Sequence, residues 1–176
     1  MAEHKILERK QTYAGHIFTC EKMNVLLPDG REHLYDMVVH GKAVVIVPVD
    51  EKGNILFVRQ YRMGAEKEML ELPAGVLNEG ESADPAAARE LREETGYESA
   101  DIFRIGGFYV SPGYCTEYIH AYLARDMKWN PLPQDEDEFL STVAIPVEEA
   151  FRMAESGEMD DSKTVSALLM AQKYIR

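Results

Sequence analysis

Alternating and continuous apolar runs, separated by turn-forming residues, predict a chain rich in β-strands. The run Ala43–Val49 is nearly continuous and long enough for a strand that is buried on both faces. A glycine and an asparagine then turn the chain into a second run, Ile55–Gln60. A turn at residues 28–30 predicts an early hairpin. The other predicted strands are Ile17–Cys20, Met23–Leu27, Tyr35–His40, Glu68–Leu72, Ile102–Val110, Tyr118–Ala124 and Phe139–Ile145.

Three segments carry helix signals. One helix is predicted to start near Asp84, which a proline follows, and to end at Gly96. A shorter helix is predicted at Val147–Ser156, and a last one from Asp161 or Ser162 to the C-terminus. Strands on both sides of a central helix, followed by terminal helices, predict an α+β or α/β sandwich with a mixed sheet.

Size and charge limit the function classes. The 176 residues suit one compact domain, and 45% hydrophobic with 28% charged residues is an ordinary globular balance. The formal net charge is −12, and no basic run is present. We therefore expect no binding to nucleic acid, because a nonspecific DNA or RNA binder carries a basic surface. A small phosphorylated ligand stays possible where metal cations screen the site.

Cysteine usage and hydropathy point to the cell interior. Cys20 and Cys115 are too few and too isolated for a disulfide framework or a thiolate metal site, so we interpret both as small buried residues. No apolar run approaches the roughly 20 residues that cross a bilayer, and the charged segment Met1–Lys10 has no apolar signal-peptide core. We expect a cytoplasmic protein with no membrane partner.

Three carboxylates crowd one side of the helix predicted to end at Gly96. Glu90, Glu93 and Glu94 stand at positions i, i+3 and i+4. Like charges at this spacing oppose a helix by roughly 0.2–0.5 kcal/mol per pair. The plain alternative is a solvated acidic face, which is common in acidic proteins.

The segment before this helix favours a metal site over that alternative. Residues 72–75 predict a strand that ends in a proline and glycine break, followed by the loop Val76–Ser82. Such a loop can bring a backbone carbonyl and Glu81 close to the start of the helix. Carboxylate and carbonyl oxygens are the ligands that Mg²⁺ and Mn²⁺ prefer.

The spacing of these residues resembles the Nudix box, G-x5-E-x7-R-E-U-x-E-E-x-G-U, where U is a bulky aliphatic residue. Every invariant letter is met, by Gly75, Glu81, Arg89, Glu90, Leu91, Glu93, Glu94 and Gly96. Tyr97 departs from the pattern at the last position, which concerns packing rather than metal ligation. The resemblance implies a Nudix fold, an α+β protein arranged as an α/β/α sandwich with a mixed sheet and a loop–helix–loop.

The resemblance also implies a divalent cofactor, Mg²⁺ with Mn²⁺ as a possibility. The carboxylates of Glu90, Glu93 and Glu94 become its ligands, with the Ala74 carbonyl as a backbone ligand. Glu81 would orient the site or bind a further ion. Arg89 would support the helix by pairing with a carboxylate such as that of Glu81. Because such ligands are expected to be exposed, replacing Glu93 or Glu94 by glutamine should abolish turnover and leave the fold intact.

Segments outside the box resemble the ADP-ribose pyrophosphatase and nucleoside-diphosphate-sugar hydrolase group. They are Arg59–Arg62, Glu71–Gly75 and Ser111–Gly113, and Pro112 lies fifteen residues beyond the last box position, as in ADP-ribose pyrophosphatases. Arg62 would contact phosphate or the terminal sugar, for which a planar guanidinium is suited. Arg59 is a second candidate for that contact, with a surface ion pair as the alternative.

The catalytic base is implied by the same resemblance. In those enzymes a loop just before a strand supplies a glutamate, which here indicates Glu138, with Glu136 as the second candidate, alongside the catalytic carboxylates Glu93 and Glu94. Glu117 would fix an arginine or a water near the substrate, or form a structural salt bridge.

The group also exchanges its N-terminal strands across a homodimer. By resemblance, residues 1–40 form a strand region exchanged between subunits, and residues 41–176 form the Nudix hydrolase domain. Aromatic side chains for base stacking are available at Tyr13, Phe18 and Tyr35, whereas the single tryptophan, Trp129, lies elsewhere.

The expected activity is cleavage of ADP-ribose or another nucleoside-diphosphate sugar into a nucleoside monophosphate and a sugar phosphate. One alternative is a GDP-mannose-preferring hydrolase of the same family. The other is a non-catalytic sensor of ADP-ribose, which is expected to lose box carboxylates, although all of them are present here.

Overall fold

A computed structural model describes residues 3–133 and 139–175. The chain folds into two compact units. The first unit comprises Met1–Lys42 and Tyr109–Tyr118, and the second comprises Ala43–Phe108 and Ile119–Arg176.

The first unit contains an antiparallel sheet of three strands in chain order. These strands are β1 (Lys5–Ala14), β2 (Phe18–Leu26) and β3 (Glu32–His40). The predicted turn between β2 and β3 is confirmed, since the Gly30 N–H donates to the Leu27 carbonyl over 2.9 Å. Gly30 has a φ of 85°, a left-handed conformation that glycine adopts without steric cost.

Two expectations for this sheet were wrong. No strand was predicted at β1, because all ten of its residues are exposed and therefore lack an inward apolar face. Two separate strands were predicted where β2 runs without a break. Glu21 and Lys22 interrupt its apolar pattern, but they pair in register with Met37 and Asp36 of β3, so backbone hydrogen bonding carries the strand across the polar pair.

Seven further strands complete the sheets. In chain order they are β4 (Ala43–Pro48), β5 (Asn54–Arg62), β6 (Lys67–Glu71), β7 (Ala74–Val76), β8 (Tyr97–Tyr109), β9 (Tyr118–Trp129) and β10 (Leu140–Pro146). One sheet has the order β10-β5-β6 and is antiparallel. The other has the order β7-β4-β9-β8, with β4 antiparallel to β7 and parallel to β9. The mixed sheet that the sequence predicts is therefore present.

The three helices are α1 (Ala83–Thr95), α2 (Val147–Ser156) and α3 (Ser162–Ile175). Helices α1 and α3 pack against β4 of the mixed sheet, and α2 packs against α3, β5 and β10. Every residue of β4 is buried, and its side chains alternate between two apolar clusters. One cluster contains Val44 and Ile46 with Ala86, Ala87 and Leu91 of α1. The other contains Val45 and Val47 with Phe151 of α2 and Leu168 of α3. Helices cover both faces of β4, which confirms the predicted α/β/α sandwich.

The helix α1 ends where the sequence predicts. Gly96 has a φ of 79°, and its N–H donates to the Arg92 carbonyl over 3.1 Å, a left-handed C-terminal cap. Within the described residues, no helix is both long and apolar enough to span a membrane.

The predicted break after β6 is instead a short strand. Pro73 has no N–H to donate, but its carbonyl accepts from the Ile46 N–H over 2.9 Å. The chain leaves the β10-β5-β6 sheet and joins the mixed sheet as β7, with Gly75 opposite Val44. The result is that the backbone of Ala74 and Gly75 is held rigidly beside α1.

Candidate active site

The three glutamates of α1 differ sharply in burial. Glu90 is 7% exposed and Glu94 is 2% exposed, whereas the side chain of Glu93 is 20% exposed. The expectation that all three are exposed was therefore wrong. The reason is that α1 packs on β4 and β7, and the carboxylates of Glu90 and Glu94 lie against Gly75 and Ala74 of β7.

A glycine at position 75 makes this burial possible. A Cβ atom added to Gly75 would lie 2.1 Å from Oε1 of Glu90, well inside any real contact. The adjacent N–H of Ala74 donates to Oε2 of Glu94 over 3.0 Å. Strand β7 and helix α1 are thus joined through their backbone and carboxylate groups, and any larger residue at position 75 would push the Glu90 carboxylate away.

Arg89 links the loop to the helix. Its Nη1 atom donates to Oε1 of Glu90 over 2.6 Å and to Oε2 of Glu93 over 2.7 Å. On the loop side, Nε and Nη2 donate to the Glu81 carboxylate over 3.1 and 3.0 Å, and Nη2 also reaches the Val76 carbonyl. The predicted pairing of Arg89 with Glu81 is present.

Arg89 and Glu81 shift each other's pKa. Its hydrogen bond to Glu81 lowers the pKa of that carboxyl below its ordinary value. In return, the same hydrogen bond and the charges of Glu90 raise the pKa of Arg89. The guanidinium therefore stays charged and screens the carboxylates of α1 from one another.

The donor set fits a hard divalent cation. Across residues 3–133 and 139–175, no three acidic, histidine or cysteine side chains converge as a formed metal cluster. The carboxylates of Glu90, Glu93 and Glu94 nevertheless supply only oxygen donors, side by side on one helix. The cradle at Gly75 keeps the Glu90 carboxylate against the backbone of β7. Arg89 supplies a positive charge to two of these carboxylates, those of Glu90 and Glu93.

The start of α1 is anchored to the sheet. The hydroxyl of Tyr122, on β9, donates to Oδ1 of Asp84 over 2.5 Å. Burial, followed by the neighbouring Asp84 carboxylate, raises the pKa of Tyr122, so the phenol stays protonated and keeps donating. This bond fixes the first turn of the helix that bears the glutamates.

A second charged cluster surrounds Arg62. Its Nε and Nη2 atoms donate to the two oxygens of Glu71 over 2.8 and 2.7 Å, and Lys163 donates to the same carboxylate. Glu71 is 1% exposed. Burial opposes its ionisation, but the hydrogen bonds from both cations and the charge of Lys163 outweigh burial and lower the pKa of Glu71.

The N-terminal turn of α3 is tied to the same region. Oδ2 of Asp161 accepts from the N–H of Thr164 over 3.0 Å and from its hydroxyl over 2.6 Å. The Thr164 oxygen in turn accepts from the backbone N–H of Leu72 over 2.8 Å, inside the core. The turn therefore clamps the end of β6, immediately before the backbone that bears Ala74 and Gly75.

The sequence pattern predicts no role for Lys163, and it includes Glu71 only as part of the motif Glu71–Gly75. The local signal for a special role of Glu71 was its charge at the end of a predicted apolar strand. Lys163 lies 92 residues from Glu71 in the chain, so no local pattern connects the two side chains.

The structure leaves the other predicted residues in separate places. Arg59 is exposed on β5, opposite Ser141 of β10. Glu117 lies in the first unit, where Oε1 is 3.8 Å from Nδ1 of His40. The two candidates for the base, Glu138 and Glu136, lie outside the described residues. The roles assigned to these four residues stay predictions.

Comparisons with known proteins agree with this arrangement. The NUDIX domain model matches residues 39–168, which include α1 and the loop before it. An ADP-ribose pyrophosphatase of Bacillus subtilis is 35% identical over 97% of this chain and 93% of its own length. A methanol dehydrogenase activator of Bacillus methanolicus is 36% identical, with the same two coverages. A solved ADP compounds hydrolase is 26% identical, with a TM-score of 0.87 over 98% of this chain and 94% of that one.

Proposed function

Because this chain belongs to the NUDIX domain family, we propose that it hydrolyses the pyrophosphate bond of ADP-ribose or of another nucleoside-diphosphate sugar. The products are a nucleoside monophosphate and a sugar phosphate. The observation that carries the proposal is the joining of β7 to α1. Gly75 makes room for the Glu90 carboxylate, and the Ala74 N–H holds the Glu94 carboxylate. The 35% identity to an ADP-ribose pyrophosphatase supports this choice of substrate.

The cofactor we propose is Mg²⁺, with Mn²⁺ as a substitute. Glu90, Glu93, Glu94 and the Ala74 carbonyl would hold it, and Glu81 would orient them through Arg89. A divalent ion bound there neutralises charge on the pyrophosphate and lowers the pKa of the attacking water. The all-oxygen donor set supports this assignment over a thiolate or imidazole metal.

The remaining chemistry falls to side chains outside the helix. Glu138 accepts the proton of the attacking water, with Glu136 as the second candidate. Arg62 donates to a phosphate oxygen from the edge of its guanidinium that does not face Glu71. Arg59 is proposed to contact the phosphate or the terminal sugar, and Glu117 is proposed to fix an arginine or a water.

We further propose that the protein is a homodimer that exchanges its N-terminal strand region, residues 1–40, between subunits. Strand β1 of this region has ten exposed residues, among them Ile6, Leu7 and Tyr13. A long edge strand with apolar side chains on its surface is a liability unless another chain covers it. A second copy of the chain is the occupant that the family resemblance supports.

The test is product release from a panel of substrates. Purified protein is incubated with ADP-ribose, GDP-mannose, other nucleoside-diphosphate sugars, diadenosine polyphosphates and NADH, each with Mg²⁺, with Mn²⁺ and with chelator. We expect ADP-ribose to yield AMP and ribose 5-phosphate only when metal is present. The Glu93→Gln protein serves as the negative control in every reaction.

One result would decide between the proposed substrates, and two would contradict the proposal. Cleavage of GDP-mannose in preference to ADP-ribose would keep the proposed reaction and make GDP-mannose the substrate. Tight ADP-ribose binding without cleavage of any panel member would indicate a sensor. Equal rates with chelator and with Mg²⁺ would remove the metal from the mechanism.

A further inference from the structure

One buried carboxylate in the second unit, that of Glu71, forms ion pairs with two cations. Arg62 approaches Glu71 with two parallel hydrogen bonds, of 2.8 and 2.7 Å, and Lys163 approaches the same carboxylate from α3. Glu71 is 1% exposed, and the side chain of Lys163 is 15% exposed. A carboxylate as enclosed as this one requires charged partners to stay ionised.

Lys163 is itself held in place from both sides. Its Nζ atom also donates to Oδ2 of Asp161 over 3.0 Å. Asp161 caps the first turn of α3 through Thr164, and the Thr164 oxygen is bound to the Leu72 N–H. Lys163 therefore has a fixed position relative to the residue that follows Glu71 in the chain.

The geometry leaves one edge of the Arg62 guanidinium for a ligand. Nε and Nη2 form the edge that faces Glu71, so Nη1 lies on the opposite side. The side chain of Arg62 is 41% exposed, whereas its partner carboxylate is enclosed. A guanidinium fixed in this way loses little conformational freedom when it binds a phosphate.

The charges of this cluster balance because of Lys163. Two cations, Arg62 and Lys163, stand against two anions, Glu71 and Asp161. Without Lys163 the cluster would carry one net negative charge, and Glu71 would be paired with Arg62 alone. An anionic pyrophosphate would then meet a guanidinium whose charge is neutralised and whose neighbourhood is negative.

We propose that Lys163 is a positioning residue for substrate binding, which acts through Glu71 to keep Arg62 oriented and electrostatically available to a phosphate of the substrate. The inference rests on the proposed function, because it takes Arg62 as the phosphate ligand. Lys163 itself does not touch the substrate. The N-terminal turn of α3 is thereby part of the binding apparatus, although it follows the Nudix box by more than sixty residues.

The experiment compares Lys163→Met with Lys128→Met. Lys128 is exposed near the end of β9, a strand that does not pair with β5 or β6, so its loss removes one lysine charge without contacting the cluster. For each protein, kcat and KM are measured with Mg²⁺ on the panel substrate that the wild type cleaves. The dissociation constant of that substrate is measured by calorimetry in chelator, which prevents turnover.

We expect Lys163→Met to raise KM and the dissociation constant about tenfold, with kcat changed less than about threefold, since a charge-assisted contact is weakened. Lys128→Met should match the wild type. Lys163→Arg should restore most of the affinity because it keeps the charge. In the Arg62→Met background, Lys163→Met should have no further effect, since the path through Arg62 is already lost.

Unchanged substrate affinity in Lys163→Met would overturn the inference. A further loss of affinity of about tenfold, when Lys163→Met is added to Arg62→Met, would overturn it as well. If Lys163→Met does not fold, Lys163→Gln takes its place, because the amide still donates to Glu71 but carries no charge. A kcat that falls while KM stays constant would assign Lys163 to the chemistry instead. A wild type that cleaves no panel substrate would refute the proposed function, a failure visible before any variant is made.

Discussion

The backbone N–H of Ala74 donates a 3.0 Å hydrogen bond to Oε2 of Glu94, which joins strand β7 to the last turn of α1. Glu94 is 2% exposed, so this carboxylate has a structural partner as well as a proposed ligand role. Glu93, one residue earlier, lies at a more open surface, where its carboxylate accepts from the Arg89 guanidinium. The two neighbouring glutamates should therefore respond differently to the same substitution.

The first prediction separates their roles. Glu93→Gln should lower turnover by at least about a hundredfold and change the free energy of unfolding by less than about 0.5 kcal/mol, because the lost charge is a ligand on a partly exposed side chain. Glu94→Gln should lose turnover and also about 1 kcal/mol of stability, since its new amide N–H₂ group is buried without a designed acceptor. Metal-dependent hydrolysis and urea unfolding measure the two quantities.

Glu79→Gln is the control for both, because it removes the same charge from an exposed position in the loop before α1. It should retain the wild-type rate and stability. Wild-type rates in both Glu93→Gln and Glu94→Gln with Mg²⁺ present would show that the metal site has been placed on the wrong residues.

The second prediction concerns the proposed base. Glu138→Gln should lower kcat by about 100-fold while KM changes little, because a proton acceptor acts in the transition state more than in the bound state. Steady-state kinetics at saturating Mg²⁺ measure both constants. Asp137→Asn is the matched control and should behave as the wild type. If Glu138→Gln keeps its rate, the same measurement on Glu136→Gln decides between the second candidate and a box glutamate.

The third prediction tests the clamp between α3 and β6. Thr164→Val has nearly the same shape but removes the oxygen that accepts from the buried Leu72 N–H. We expect a loss of about 2 kcal/mol in the free energy of unfolding, since a buried donor is left without an acceptor. Thr164→Ser keeps the hydroxyl and should lose less than half as much. Equal stability of the valine and serine variants would mean that the hydroxyl contributes little.

The fourth prediction is a pH dependence set by Glu71. The pKa of Glu71 lies below its ordinary value of 4.5 in the folded protein. A lowered pKa means that the unfolded chain binds this proton more readily. The stability from Glu71 is therefore fully present above pH 4.5 and is lost as the pH falls through the lower, folded value.

Glu71→Gln removes the titrating group, so it should cost about 2 kcal/mol near neutral pH, where two cations lose their anion. The difference in unfolding free energy between wild type and variant should then shrink in acid. Urea titrations from about pH 7 to about pH 3 follow this difference. A difference that stays constant across the range would mean that Glu71 has the same pKa in both states.

The sequence predicted those elements whose buried apolar residues form a regular or continuous pattern. The apolar run Ala43–Val49 predicted a strand that is buried on both faces, and the structure places helices on both sides of β4. Gly96 predicted the end of α1, where it forms a left-handed C-terminal cap. Strand β1 left no trace because none of its side chains is buried within the chain. Strand β7 was missed because a proline precedes it, although the proline carbonyl accepts a hydrogen bond from Ile46 of β4 and so leads the chain into the mixed sheet.

The sequence by itself determined the candidate chemistry, because the box glutamates, their glycine and Arg89 lie within 23 consecutive residues and their spacing along one loop and helix is local. Only the tertiary structure decided which of those carboxylates are buried, since burial depends on the strands that α1 packs against. It alone also brought Lys163 to Glu71 across 92 positions of the chain, because a contact between distant residues is set by the packing of whole elements. The spacing of neighbouring residues can be read directly from the sequence. The partners of a buried charge depend on how the sheet and the last helix pack together.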